Sequence, residues 1–165
     1  MKLYLESDLA FDPATAWSIF ESKEFEARLE QATDLVCEVL DETMEGGVQV
    51  KRLRYTSRRE LPAMVARALG SKNLTYEQVN RYDAARSELA WTVKLPVMAD
   101  RVSVAGVTRI TPTTSGSKRV VDGDISVRVR LVGGQIEKAV VAEFERSMLR
   151  AVDLARAIHD EQAKA

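Results

Sequence analysis

The closing stretch of the chain, "GDISVRVRLVGGQIEKAVVAEFERSMLRAVDLARAIHDEQ", constrains the fold more than any other part of the sequence. It alternates as a strand, breaks at Gly133 and Gly134, and continues with helical spacing. Beyond the glycines, Ile136, Val140, Val141, Phe144, Met148, Val152, Ala155 and Ile158 make one continuous apolar stripe. Lys138, Arg146, Arg150, Asp153, Arg156 and Asp160 populate the other side. A helix over 134–162 extends about 40 Å at roughly 1.5 Å per residue. A compact chain of this size is itself roughly 40 Å across. The helix therefore crosses the whole molecule, and its stripe needs an apolar surface of matching length.

The rest of the chain reads as the source of that surface. "KLYLES" is a strand. "DLVCEVLDET" and "VQVKRLRYTS" alternate and are joined by "MEGG", a hairpin signal. In the second of these the apolar set shifts parity, from Val48 and Val50 to Leu53 and Tyr55, which predicts a bulge near Lys51 and Arg52. Strands resume in "NLTYEQVNRYD", "SELAWTVKL", "RVSVAGVTRIT" and "RVVDGDISVRVRL", with "DAAR", "PVMAD" and "TPTTSGSK" as turns. Val121, Ile125, Val127 and Val129 share a face opposite Asp122, Asp124, Arg128 and Arg130. One buried and one wet face is the mark of an antiparallel sheet.

Two short helices, 13–22 and 24–31, or the two joined as one kinked helix, follow the first strand, with Asp12 as N-cap and Pro13 at the first helical position. "ELPAMVARALG" inserts a third, amphipathic helix that Gly70 stops. About seven strands are too many to lie flat, because twist makes the sheet curl. The predicted fold is α+β: a curved antiparallel sheet of about seven strands gripping a long C-terminal helix, as one domain over 1–165.

Charge and cysteine usage narrow the function classes. A net charge of -1 provides no global field for nucleic acid or an anionic membrane. Cys37 is the only cysteine, so no internal disulfide or cysteine-based zinc cluster is available. No apolar run approaches the roughly 20 residues that span a bilayer, and "MKLYLESDLAFD" is too polar for a signal peptide. The expectation is a reduced, cytoplasmic protein.

The order strand, two short helices, six strands and long C-terminal helix resembles the START-like superfamily, or helix-grip fold. The matching residues are "FDPATAWSIF" after the first strand and "GDISVRVRLVGGQIEKAVVAEFERSMLRAVDLARAI" at the end. Relatives include polyketide cyclases, aromatase/cyclases, plant pollen-allergen-like proteins and lipid-transfer domains. Within the superfamily the chain looks closest to a bacterial family of unknown function with the same ending. The resemblance implies a cavity between sheet and helix. It does not imply one activity, since one scaffold hosts many.

No catalytic constellation emerges from the residues themselves. His159, the single histidine, has no spaced nucleophile or carboxylate partner and reads as a surface or capping residue. Cys37 reads as an inert strand thiol. One histidine and one cysteine give no metal site. "KRLRYTSRRE" reads as a wet strand face rather than a nucleic-acid patch, with room for one inward arginine to hold an acidic head group. Glu137 suits a helix N-terminus, and Glu145 flanks the stripe.

The candidate ligand contacts are the large side chains expected between sheet and helix: Tyr55, Trp91, Val104, Ile125, Val127, Phe144, Met148 and Val152. Leu61 and Met64 on the short helix, with Val97 and Met98 in a loop, are expected to frame a mouth. The leading expectation is a binding protein, carrier or sensor, for a small hydrophobic ligand, lipid-like or polycyclic, working as a monomer or homodimer without cofactor or metal. The alternatives are a cyclase, aromatase or hydratase-type enzyme using the same cavity, and a protein-interaction module.

Overall fold

The computed structural model describes residues 1–165. β1 (Lys2–Leu9) leads into α1 (Pro13–Phe20) and α2 (Lys23–Ala32), then β2 (Leu35–Glu45) and β3 (Val48–Glu60). α3 (Ala63–Leu69), β4 (Asn73–Asp83), β5 (Glu88–Lys94), β6 (Val102–Thr113), β7 (Gly116–Val127) and α4 (Gly133–Lys164) complete the order. The seven strands make one sheet, β1-β7-β6-β5-β4-β3-β2, with every neighbouring pair antiparallel. α4, 32 residues long, packs on the inner face against β7 and β1 and against α1 and α2. This is the helix-grip architecture expected from the order of elements.

Local chemistry explains the helix boundaries. The Asp12 carboxylate accepts the Thr15 N–H at 2.7 Å and starts α1. The Ser22 hydroxyl accepts the Phe25 N–H at 3.1 Å and starts α2, so the pair is two capped helices rather than one kinked helix. Gly70 ends α3 at φ 66, a left-handed conformation that a glycine adopts without strain. The Glu137 carboxylate accepts the Val127 N–H at 2.8 Å and joins the end of β7 to the first turn of α4.

Three sequence expectations need correction. The bulge lies in β2, between Val39 and Asp41, and not at Lys51 and Arg52. β3 pairs with β4 without interruption from Gln49 to Thr56, so Lys51 shares the face of Leu53 and Tyr55, while Val50 lies on the other face between Thr43 and Arg81. The turn "TPTTSGSK" shrinks to Thr114 and Ser115, because β6 runs to Thr113 and β7 opens at Gly116. β7 also stops at Val127, which leaves Val129 outside the strand and Leu131 fully exposed at φ 70.

Two apolar clusters hold the layers together. The larger contains 17 buried residues at the α3 end, among them Leu69, Leu95, Val102, Ile136 and Val140. The smaller contains 11 and joins α1 and α2 to the second half of α4 through Trp17, Ile19, Phe25, Val152 and Ile158. Phe144 of the first and Ala151 of the second both border a space where the packing opens.

Candidate functional site

A cavity of about 150 Å³ lies between the inner face of the sheet, α1, α2 and the middle of α4. Its aromatic walls come from Trp17, Phe20 and Phe25 on the helices and from Tyr55, Tyr76 and Phe144. The last three continue a stacked row: Tyr55 to Tyr76 at 5.2 Å, Tyr76 to Phe144 at 5.5 Å, and Phe144 to Trp91 at 5.8 Å between ring centroids. Such offset stacks are rigid and favourable beyond their buried area. Trp91 is the base of the row. Its indole lies across Gly106 and Gly123, and its N–H donates to the Thr108 hydroxyl at 3.3 Å.

Trp17 is fixed from the other side. Its indole N–H donates to the Ser87 hydroxyl at 2.7 Å, and that hydroxyl donates to the Ile110 carbonyl at 2.7 Å. Tyr82 packs on the same indole at 4.8 Å. α1 is thereby tied to the β4–β5 turn, to β4 and through Ser87 to β6, and its aromatic residues form one wall of the cavity.

Polar groups share the inner face. Lys51, Gln78, Asn80, Thr108 and Arg119 come from the strands and Glu21 and Glu26 from the helices. The Lys51 ammonium pairs with Glu26 at 3.1 Å and stands 3.8 Å from Glu21, with its side chain only 11% exposed. Gln78 donates to the Asn80 side-chain carbonyl at 2.7 Å. Burial pushes the Glu21 carboxyl above its ordinary range, against the pull of Lys51. Burial likewise raises the phenols of Tyr55 and Tyr76, which therefore remain protonated donors. Polar side chains cannot interlock dry as Val and Ile do, which fits the open space among these groups and the close packing around Val104 and Ile125.

Among the residues named from sequence, Tyr55, Phe144 and Met148 line the cavity, and Trp91 backs its wall through Phe144. Val104, Ile125, Val127 and Val152 are buried within the two apolar clusters and do not reach it. The residues expected to frame a mouth do not line this cavity. Leu61 and Met98 pack against the larger cluster, while Met64 and Val97 are exposed, all away from the cavity.

Sequence reasoning overlooked Glu21, Lys51 and Arg119. Strand parity held the signal for two of them, since Arg119 is in step with Val121 and Ile125, and Lys51 with Leu53. The basic stretch in β3 is neutralised: Arg52 pairs with Asp41 at 2.8 Å, Arg54 with Glu77 at 3.2 Å and Glu38 at 3.3 Å, and Arg59 with Asp34. Its inward cation is Lys51, not an arginine. Cys37 is half-buried, and burial raises its thiol, which makes it a weaker nucleophile. His159 stacks on Phe11 at 4.4 Å, outside the cavity. Glu145 also lies outside it.

The sequence matches the family described as "Protein of unknown function (DUF2505)" over residues 5–157. The chain belongs to the DUF2505 family. No curated protein matches it. Among solved structures, this DUF2505 chain is similar to the Zhui aromatase/cyclase from Streptomyces sp. R1128, at 15% identity and a TM-score of 0.70, with 100% of this chain and 96% of that one covered. Norcoclaurine synthase from Thalictrum flavum is also similar, at 15% identity and a TM-score of 0.66 over 98% and 87% of the two chains. So is TTHA0849 from Thermus thermophilus, at 13% identity and 0.66 over 95% of each. At such identities the likeness establishes the shared fold, with its sheet wrapped on a long terminal helix. No helix is long and apolar enough to cross a membrane.

Proposed function

We propose that this DUF2505 protein binds a small, mostly apolar ligand in the cavity between sheet, α1–α2 and α4. One observation carries the reading: six aromatic side chains converge on space that no side chain of the protein fills. Burial of apolar ligand area there contributes about 25 cal/mol per Å² before ordering costs are subtracted. The volume limits the ligand. At about 150 Å³ the space suits one aromatic ring, since a cavity of about that size accepts benzene in other proteins. Lipid-like and polycyclic ligands occupy the roughly 300 Å³ or more of larger pockets, so the volume favours a single-ring compound.

Nuclear magnetic resonance titration of isotope-labelled protein with toluene, phenol and indole tests this. Saturable shifts clustered at Phe20, Tyr76, Phe144 and Ser147 are expected, and Ser147→Trp, which fills the space from α4, should abolish them. Shifts scattered over the surface, or none at millimolar ligand, would refute binding at this site.

A second reading has its own observation. Glu21 is a carboxyl at the cavity whose pKa burial raises, as a general acid or base requires. Two of the similar structures are an aromatase/cyclase and a synthase by name. On this reading the chain turns over its ligand, and Glu21→Gln abolishes turnover while leaving ligand affinity intact.

A further inference from the structure

Arg119 stands apart from the other charged groups of the cavity. It lies on β7 in step with Val121 and Ile125, so its side chain enters the inner face with theirs. The Phe20 ring covers it, with the guanidinium carbon 5.0 Å from the ring centroid. No carboxylate pairs with it, and no protein group accepts a hydrogen bond from it. Burial alone accounts for its perturbation, which lowers the guanidinium to about 10, so it remains a cation at neutral pH. Lys51, on the same inner face, is answered by Glu26 and faces Glu21. Those two carboxylates turn on the lysine and leave the arginine unanswered.

A guanidinium carries five N–H donors in a planar fork that matches a carboxylate. The guanidinium is half-buried, has no protein partner and has its nitrogens within reach of solvent; an incoming carboxylate would replace water there with charge-assisted hydrogen bonds and neutralise the charge. The aromatic walls and the single-ring volume set the remainder of the ligand. We infer that Arg119 anchors a carboxylate and that the ligand of this protein is a single-ring aromatic acid, of benzoate or phenylacetate size. The inference rests on reading this cavity as a ligand site. It adds a charge to the ligand that an apolar cavity alone does not demand.

Calorimetric titration with phenylacetate and its neutral isostere phenylacetamide, on wild type, Arg119→Gln and Arg119→Lys, decides the matter. Wild type should favour the acid by at least about tenfold, the worth of one charge-assisted hydrogen-bond pair. Arg119→Gln should lose that preference while still binding the amide, and Arg119→Lys should recover part of it. Retained amide binding shows that Arg119→Gln is folded, and its melting temperature should stay close to that of wild type, because the substitution breaks no ion pair or side-chain hydrogen bond. Equal binding of acid and amide by wild type would overturn the anchor and leave the cavity reading standing. Binding of neither would sink both. A tenfold preference that survives Arg119→Gln would place the anion at another group and refute the assignment.

Discussion

The indole of Trp91 occupies the space a side chain on Gly106 would need. A methyl group at Gly106 would overlap the ring outright and stand 2.6 Å from the Asp122 carbonyl oxygen. Gly123, on the next strand, would meet the same ring at 2.7 Å. Two glycines on neighbouring strands thus form the trough in which the base of the aromatic row lies, and through Phe144 they set the back wall of the cavity.

Gly106→Ala is therefore expected to destabilise by about 1–3 kcal/mol, the range for overpacking a close-packed site. Gly134→Ala is the control. Nothing lies within 4 Å of its added methyl, and in a helix it should be neutral or stabilise by about 0.4–1 kcal/mol. Urea denaturation of the two variants measures both; equal effects would mean that the trough does not fix Trp91.

Lys51→Met leaves Glu21 and Glu26 facing the cavity without their cation. Fully buried pairs cost about 3–5 kcal/mol to break this way; Glu26 is 34% exposed, so about 1–3 kcal/mol is expected. Chemical denaturation at neutral pH checks it, and a change within error would show that water solvates the carboxylates as well as the lysine does.

Glu21 makes stability depend on pH with a definite sign. Its folded pKa is raised above the ordinary 4.5, so the folded state holds the proton more tightly than the unfolded state. Its contribution is fully present below about 4.5 and is lost as pH rises through the higher folded value. Glu21→Gln should thus melt higher than wild type at neutral pH, and the gain should vanish in mild acid. Thermal melts across that window test it; a gain that grows toward acid would reverse the sign and refute the assignment.

Phe144→Ala removes the ring between Tyr76 and Trp91. A loss of about 3–5 kcal/mol is expected for deleting a buried aromatic side chain. The enlarged space should admit a bicyclic compound such as naphthalene, which wild type should exclude. Melting temperature and ligand titration read the two effects, and exclusion by both proteins would mean that the cavity collapses around the alanine.

The order of elements, the antiparallel sheet and the grip on α4 were legible in the chain because each depends on a short-range period. The strand faces follow a period of two, and the α4 stripe from Ile136 to Ile158 repeats at helical spacing. The cap at Asp12 and the stop at Gly70 act within a few residues of themselves. The bulge was misplaced because parity in β3 was judged from Val48 and Val50 alone, whereas the ladder with β4 runs straight past Lys51. The site was legible only in part. Tyr55, Phe144 and Met148 followed from their faces, but Val104, Ile125 and Val127 have the same periodicity and lie in closed packing.

Sequence by itself therefore determined which side of α4 and of most strands faces inward, the first half of β3 excepted. Only the tertiary structure decided where that interior is filled and where it stays open, because the answer depends on how side chains distant in the chain meet: Val and Ile interlock at one end, and Lys51, Glu21 and Arg119 hold space at the other. An unpaired arginine shows as unpaired only once every carboxylate has been placed.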